Sequence, residues 1–252
     1  MSRLIDKLVQ VSQGNTRPLG FRPSATVSGK PRIQMVASLT GAEVENLPGR
    51  LAGADAGLLH ISKTESKALE KVCQASADTP LGVWLSHSEG IEKIVEAKCD
   101  FVVFPASASL AVIKNEKLGA ILEVESSLSD GLVRAINDLP VNAVLISVEQ
   151  KKDVPLTWQN LMLFQHFAHL LDKPLLVTAP SNVTADELKA IWEAGVTGVV
   201  VEAGADGLTA LRQAMEKVTF APRQKGKKGV ALVPRLVEQA GEVVEEEEEE
   251  EE

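Results

Sequence analysis

The chain has 252 residues, of which 44% are hydrophobic, and a formal net charge of −9, which is enough apolar material for one full core and points to a single domain. Ten Glu and five Lys or Arg fall from Thr219 onward, so the part before it carries 25 acidic and 21 basic residues, a balance of only −4. It has no basic stripe to follow a phosphate backbone and no apolar run approaching about 18 residues, which argues against a nucleic-acid partner and against a transmembrane helix.

The opening segment MSRLIDKLVQV has no continuous apolar stretch and no cleavage site, so it does not read as a signal peptide, and a cytoplasmic location is expected. Leu4, Ile5, Leu8 and Val9 recur at helical spacing and predict a short amphipathic helix, packed across the mouth of the following domain or against one of its helices. Residues 14–32 hold Pro18, Pro23 and Pro31 among Gly, Ser and Arg, which predicts an extended connector.

From Ile33 to Val218 one unit repeats eight times: a short apolar run, a polar turn and a helical stretch. The predicted strands are Ile33–Leu39, Gly57–Ile61, Gly82–Leu85, Phe101–Phe104, Ala120–Val124, Ala143–Val148, Pro174–Thr178 and Gly198–Val201. Their nearly unbroken Val, Ile, Leu and Phe content fits parallel strands covered on both faces. Eight such right-handed units predict an α/β fold, a (β/α)8 TIM barrel over residues 33–218, with an open doubly wound sheet as the alternative. The pairs Thr40 with Glu43, Ser62 with Glu65, Ser86 with Glu89, Ser127 with Asp130 and Thr184 with Glu187 have capping-box spacing and start the helices directly after strands. Residues 219–252 form a separate tail, basic and then acidic, ending in eight consecutive Glu. Such a run repels itself and has nothing apolar to bury, so it is expected to be disordered.

Cys73 and Cys99 are 26 positions apart, outside any CxxC or Cys/His spacing, and predict neither a zinc site nor a structural disulfide. Trp84, Trp158 and Trp192 read as packing residues, with Trp84 able to stack on a flat ligand if it points inward. His166 and His169, three apart in one helix, read as helix-face residues. His87 reads as a surface or capping residue. Apolar residues on more than one face of the stretch 158–171 make it the candidate subunit contact of a homo-oligomer.

Alternation along a strand gives the sharpest functional signal. In ILEVESS, Leu122 and Val124 facing the helices would turn Glu123 and Glu125 toward the barrel axis. The same parity brings in Ser147 and Glu149, Glu202, and His60 between Leu59 and Ile61. Four carboxylates and an imidazole at one mouth would either bind a cation or hold a shared proton. Oxygen ligands suit Mg²⁺ or Mn²⁺, with Glu123, Glu125, Glu149 and Glu202 as the metal set and Glu123, Glu125 and His60 as the catalytic set.

The segment KPLLVTAPSNVTADELKAIWEAGVTGVVVEAGADG resembles the last two units of phosphate-binding-type TIM barrels. That resemblance implies an anion cradle from Gly204 and Gly207 ahead of the last helix, with Ser181 and Asn182 contributing side chains. The chain departs from the pattern at Ala179–Pro180–Ser181–Asn182, where those families carry a glycine-rich turn.

Two functions follow. One is a small-molecule enzyme of the lyase or isomerase type, transferring protons on a small carboxylated or phosphorylated metabolite, with a metal assisting. The other is a barrel without catalysis that binds a protein partner through residues 219–252.

Overall fold

A computed structural model describes residues 2–13, 33–40, 47–61, 73, 79–85, 94, 96–110, 118–148, 155–204 and 208–218. Eight strands are present: β1 Gln34–Thr40, β2 Ala56–Ile61, β3 Leu81–Leu85, β4 Phe101–Pro105, β5 Gly119–Glu125, β6 Ala143–Ser147, β7 Leu175–Ala179 and β8 Gly198–Glu202. They pair in parallel in chain order, and β8 returns to β1 to close the barrel. The doubly wound alternative is thereby set aside. Each strand lies within one or two residues of its expected position.

The described helices are α1 Arg3–Gln13, α2 Leu47–Arg50, α3 Asp130–Ala135, α4 Trp158–Leu170, α5 Ala185–Glu193 and α6 Thr209–Lys217, with a 3-10 turn at Ile136–Asp138. None of them is long and apolar enough to cross a membrane. Two expected helix starts can be compared with the structure. Thr184 and Glu187 form the full capping box of α5. Ser127 does not cap α3, whose N-cap is Ser129, and its hydroxyl donates instead to Glu125 Oε2 at 3.3 Å. A capping box that the spacing rules passed over joins Thr157 to Asn160 at the start of α4; Asn in place of Glu or Gln hid it. Glu43, Ser62, Glu65, Ser86 and Glu89 lie outside the described residues.

Strand alternation divides the apolar residues into two cores. Leu39, Leu59, Val83, Val102, Leu122, Val124, Val177 and Val199 face outward and pack beneath the helices. Val36, Leu58, Phe101, Val103, Ile121, Leu145, Leu176 and Val200 fill the barrel interior. Helix α1 belongs to the interior core: Leu4 and Leu8 are fully buried and Ile5 nearly so, inserted among the inward residues at the N-terminal mouth. Burying each contributes about 2 kcal/mol. Gly119 permits the close approach, because a Cβ there would stand 2.7 Å from both Ile5 and the Ser2 hydroxyl.

Asp100, just ahead of β4, holds this plug. Its carboxylate accepts from the Ser2 hydroxyl at 2.7 Å and from the amides of Arg3 at 2.8 Å and Leu4 at 3.0 Å. It thus satisfies N–H groups that the first turn of a helix leaves unpaired and places negative charge at the positive end of α1. Its own amide donates to Leu81 and its carbonyl accepts from Gly119, so one residue ties β3, β5 and α1 together. A second buried anchor joins α6 to the sheet: Arg212 Nη2 meets Asp55 Oδ2 at 2.6 Å, and the same carboxylate accepts from the Met35 amide.

Replacing Asp100 with Ala is expected to destabilise the fold by roughly 1–3 kcal/mol. Urea unfolding measures the loss, and hydrogen exchange should show it as faster exchange confined at first to the α1 amides.

Candidate functional site

With α1 across the N-terminal mouth, the remaining end of the barrel is the C-terminal one, where (β/α)8 barrels place their sites. The inward positions near this end are Ser38 on β1, His60 on β2, Trp84 on β3, Glu123 and Glu125 on β5, Ser147 on β6, Thr178 on β7 and Glu202 on β8. Apolar side chains on the same parity, Val36, Leu58, Ile121, Leu145 and Val200, form the floor beneath them. The polar residues therefore stand on a sealed hydrophobic base.

Four of them make a continuous chain. Ser38 Oγ and His60 Nε2 share a hydrogen bond of 2.9 Å. The His60 ring lies against Trp84 with centroids 4.4 Å apart and a 36° tilt, and the two residues are direct register partners. Trp84 Nε1 donates to Glu123 Oε2 at 2.8 Å. Glu202 is the register partner of Ser38 and acts electrostatically on His60. A polar path thus runs from β8 through β1, β2 and β3 to β5. The indole orients the carboxylate, and the serine orients the imidazole.

Burial pushes the His60 pKa below its usual value, and the negative charge of Glu202 opposes that shift without cancelling it. At neutral pH the ring is neutral, able to give a proton from one nitrogen and take one at the other.

Glu123 is half-buried, whereas Glu125 and Glu202 are exposed. Among the described residues, no three His, Cys, Asp or Glu side chains gather closely enough to hold a metal ion. Glu149, the fourth carboxylate of the expected metal set, lies outside the described residues, as do Gly207 and His87. Ser181 and Asn182 are exposed in the turn after β7, which the Val183 amide closes onto Pro180. Gly204 is exposed, and a Cβ there would meet nothing within 4 Å. Thr184 is taken up by the α5 cap, so its hydroxyl serves the helix.

Trp192 is buried as expected, but Trp158 is 82% exposed and does not pack between helix and strand. It is the first residue of α4, in the turn where the helix begins. His166 bonds Asp130 of α3 at 3.0 Å on the surface, the helix-face role foreseen for it. Two functional features escaped the sequence reading. Ser38 was not singled out, although its odd-even position in QMVASLT puts it on the inward face. The Trp84–Glu123 bond spans an intervening strand, and no local pattern announces such a contact.

No family model matches the chain, and no curated protein matches it in sequence. Solved structures do match in fold. A thiamine phosphate pyrophosphorylase from Pyrococcus furiosus aligns over 73% of this chain and 92% of its own, at 14% identity and a TM-score of 0.53. The tryptophan synthase a2b2 complex from Pyrococcus furiosus aligns over 73% and 96%, at 12% identity and a TM-score of 0.57. Tryptophan synthase from Mycobacterium tuberculosis aligns over 75% and 93%, at 13% identity and a TM-score of 0.59. The chain is a TIM barrel. At these identities the likeness is one of architecture, and the site of this TIM barrel has to be read from its own residues.

The depressed His60 pKa makes a testable statement about stability. The unfolded chain binds a proton on His60 below about pH 6.5, while the folded protein resists it, so the stability His60 allows is present above that pH and is lost as pH falls through the lower folded value. Urea unfolding at pH 7.5 and pH 5 should therefore show a larger loss for the parent than for His60→Gln. Equal losses would show that His60 titrates alike in both states.

Proposed function

We propose that this TIM barrel is a small-molecule enzyme of the lyase or isomerase type, moving protons on a small carboxylated or phosphorylated metabolite at the C-terminal mouth. The observation that carries the reading is the pairing of a neutral His60, held by Ser38, with a Glu123 carboxylate held by Trp84, on one sealed apolar floor. Structural groups at strand ends do not need orientation by two separate hydrogen bonds and a shared indole.

In this reading Glu123 removes a proton from the carbon beside a carboxylate or carbonyl group, and His60 delivers a proton to the atom that gains the charge. Both groups are pre-oriented, so neither has to be ordered as the reaction proceeds. Glu125 and Glu202 stand at the rim, where they set the local field. The anionic end of the substrate lies toward Ser181, Asn182, Gly204 and Gly207, beyond the ends of β7 and β8. The tryptophan synthase neighbour is described as an a2b2 complex; association with a second copy or another protein, through 158–171 or 219–252, belongs to the same proposal.

Thermal unfolding with a panel of phosphorylated and carboxylated metabolites, each with and without Mg²⁺ or Mn²⁺, tests the site first. A ligand is expected to raise the midpoint by several degrees by binding the native state, and Glu123→Gln to weaken that rise. Turnover of the compound so found should fall by about 10²–10⁴-fold in Glu123→Gln and in His60→Gln, and the product formed in D₂O should carry deuterium. A complete absence of shifts across the panel, with both variants as stable as the parent, would favour the non-catalytic module acting through residues 219–252.

A further inference from the structure

Cys73 and Cys99 are distant in sequence but touch in space: their Sγ atoms are 3.0 Å apart and both are free thiols. A disulfide bond is about 2.05 Å long, so the sulfurs need approach by only about 1 Å. Cys73 is partly exposed, on a helical residue of the segment between β2 and β3, and Cys99 is buried in the turn that leads into β4. That turn is rigidly placed. Lys98 sits in the left-handed region at φ 54°, the Cys99 amide donates to Ile94, and the next residue is Asp100, the anchor of β3, β5 and α1.

We propose that Cys73 and Cys99 are a redox pair, oxidised reversibly by a small-molecule disulfide of the glutathione type, and that the resulting bond latches Cys73 to the turn that anchors α1. The partly exposed Cys73 is the attacking sulfur. Once Cys73 is ionised, the Cys99 S–H 3.0 Å away is placed to donate to it, which holds the Cys73 pKa below that of an ordinary thiol, whereas the same contact together with burial pushes Cys99 up. The Cys73 thiolate attacks one sulfur of the small disulfide; a new S–S bond forms, the old one breaks, and one small thiolate leaves to be protonated by solvent. Capping Cys73 removes the negative charge that retained the Cys99 proton. Cys99 then loses that proton to solvent and attacks the Cys73 sulfur, expelling the second small thiol. Two protein thiols are oxidised and one small disulfide is reduced to two thiols.

The test uses the full chain equilibrated in glutathione buffers of increasing oxidised fraction, then alkylated and analysed by peptide mass spectrometry. The parent is expected to lose both alkylatable thiols together and yield a 73–99 cross-linked peptide that disappears on return to reduced glutathione. Its oxidised form should unfold roughly 5–10 °C higher than the reduced form, with slower hydrogen exchange in α1. Cys99→Ser should stop at a glutathione adduct on Cys73. Two thiols that remain alkylatable, a stable glutathione adduct on the parent, or dimers linked between chains would overturn the pair. A cross-link that changes neither the midpoint nor α1 exchange would overturn the latch. The parent measurement needs no variant to fold.

Discussion

Closure of eight parallel strands into one barrel is the constraint on which everything else here depends. In a closed sheet each strand has an inside and an outside, and successive residues alternate between them. A shift of one residue in any strand would exchange Leu122 for Glu123, or Leu59 for His60, and bury a charge or imidazole beneath the helices. The two apolar cores therefore fix the register, and the register in turn places Ser38, His60, Trp84 and Glu123 on a common axis. The site is a by-product of the packing that stabilises the fold.

The ends of the barrel are made unlike by Asp100. By capping α1 it seats Leu4, Ile5 and Leu8 against the inward residues of the lower layers, so the lower half of the interior is mostly apolar, with the buried Gln34 on the same face of β1 as Val36. Polar side chains above it are desolvated from one side only. That asymmetry lowers the His60 pKa by burial while leaving Glu125 and Glu202 in contact with solvent. Cys99 precedes Asp100 directly, so the buried thiol and the anchor stand in the same turn ahead of β4.

The relation between the His60–Trp84 stack and the Trp84–Glu123 bond shows how a hydrogen bond across the barrel can be built from modest parts. The indole presents its face to the imidazole and its N–H to the carboxylate, so one large side chain positions two small ones. Val103, the register partner of Trp84 on the intervening strand β4, is a small inward residue of the interior core, and the longer indole reaches past it to β5.

How much was legible in the chain divides along a physical line. Strand positions, the inward parity of Glu123, Glu125, His60 and Glu202, the amphipathic α1 and the Thr184 capping box were all readable, because period, hydrophobicity and cap spacing are local properties of a few neighbouring residues. Ser127 and Trp158 were misread because a cap and a packing contact compete with alternatives that only the surrounding atoms decide. The Ser38–His60 bond, the Trp84–Glu123 bond across β4, the Asp100 clasp on Ser2 and the meeting of Cys73 with Cys99 join residues 22 to 98 positions apart. The sequence by itself determined that a barrel forms and which residues face its axis; the tertiary structure alone decided which of those residues touch, since contact depends on closure and on the stagger between strands, and neither is encoded in any single segment.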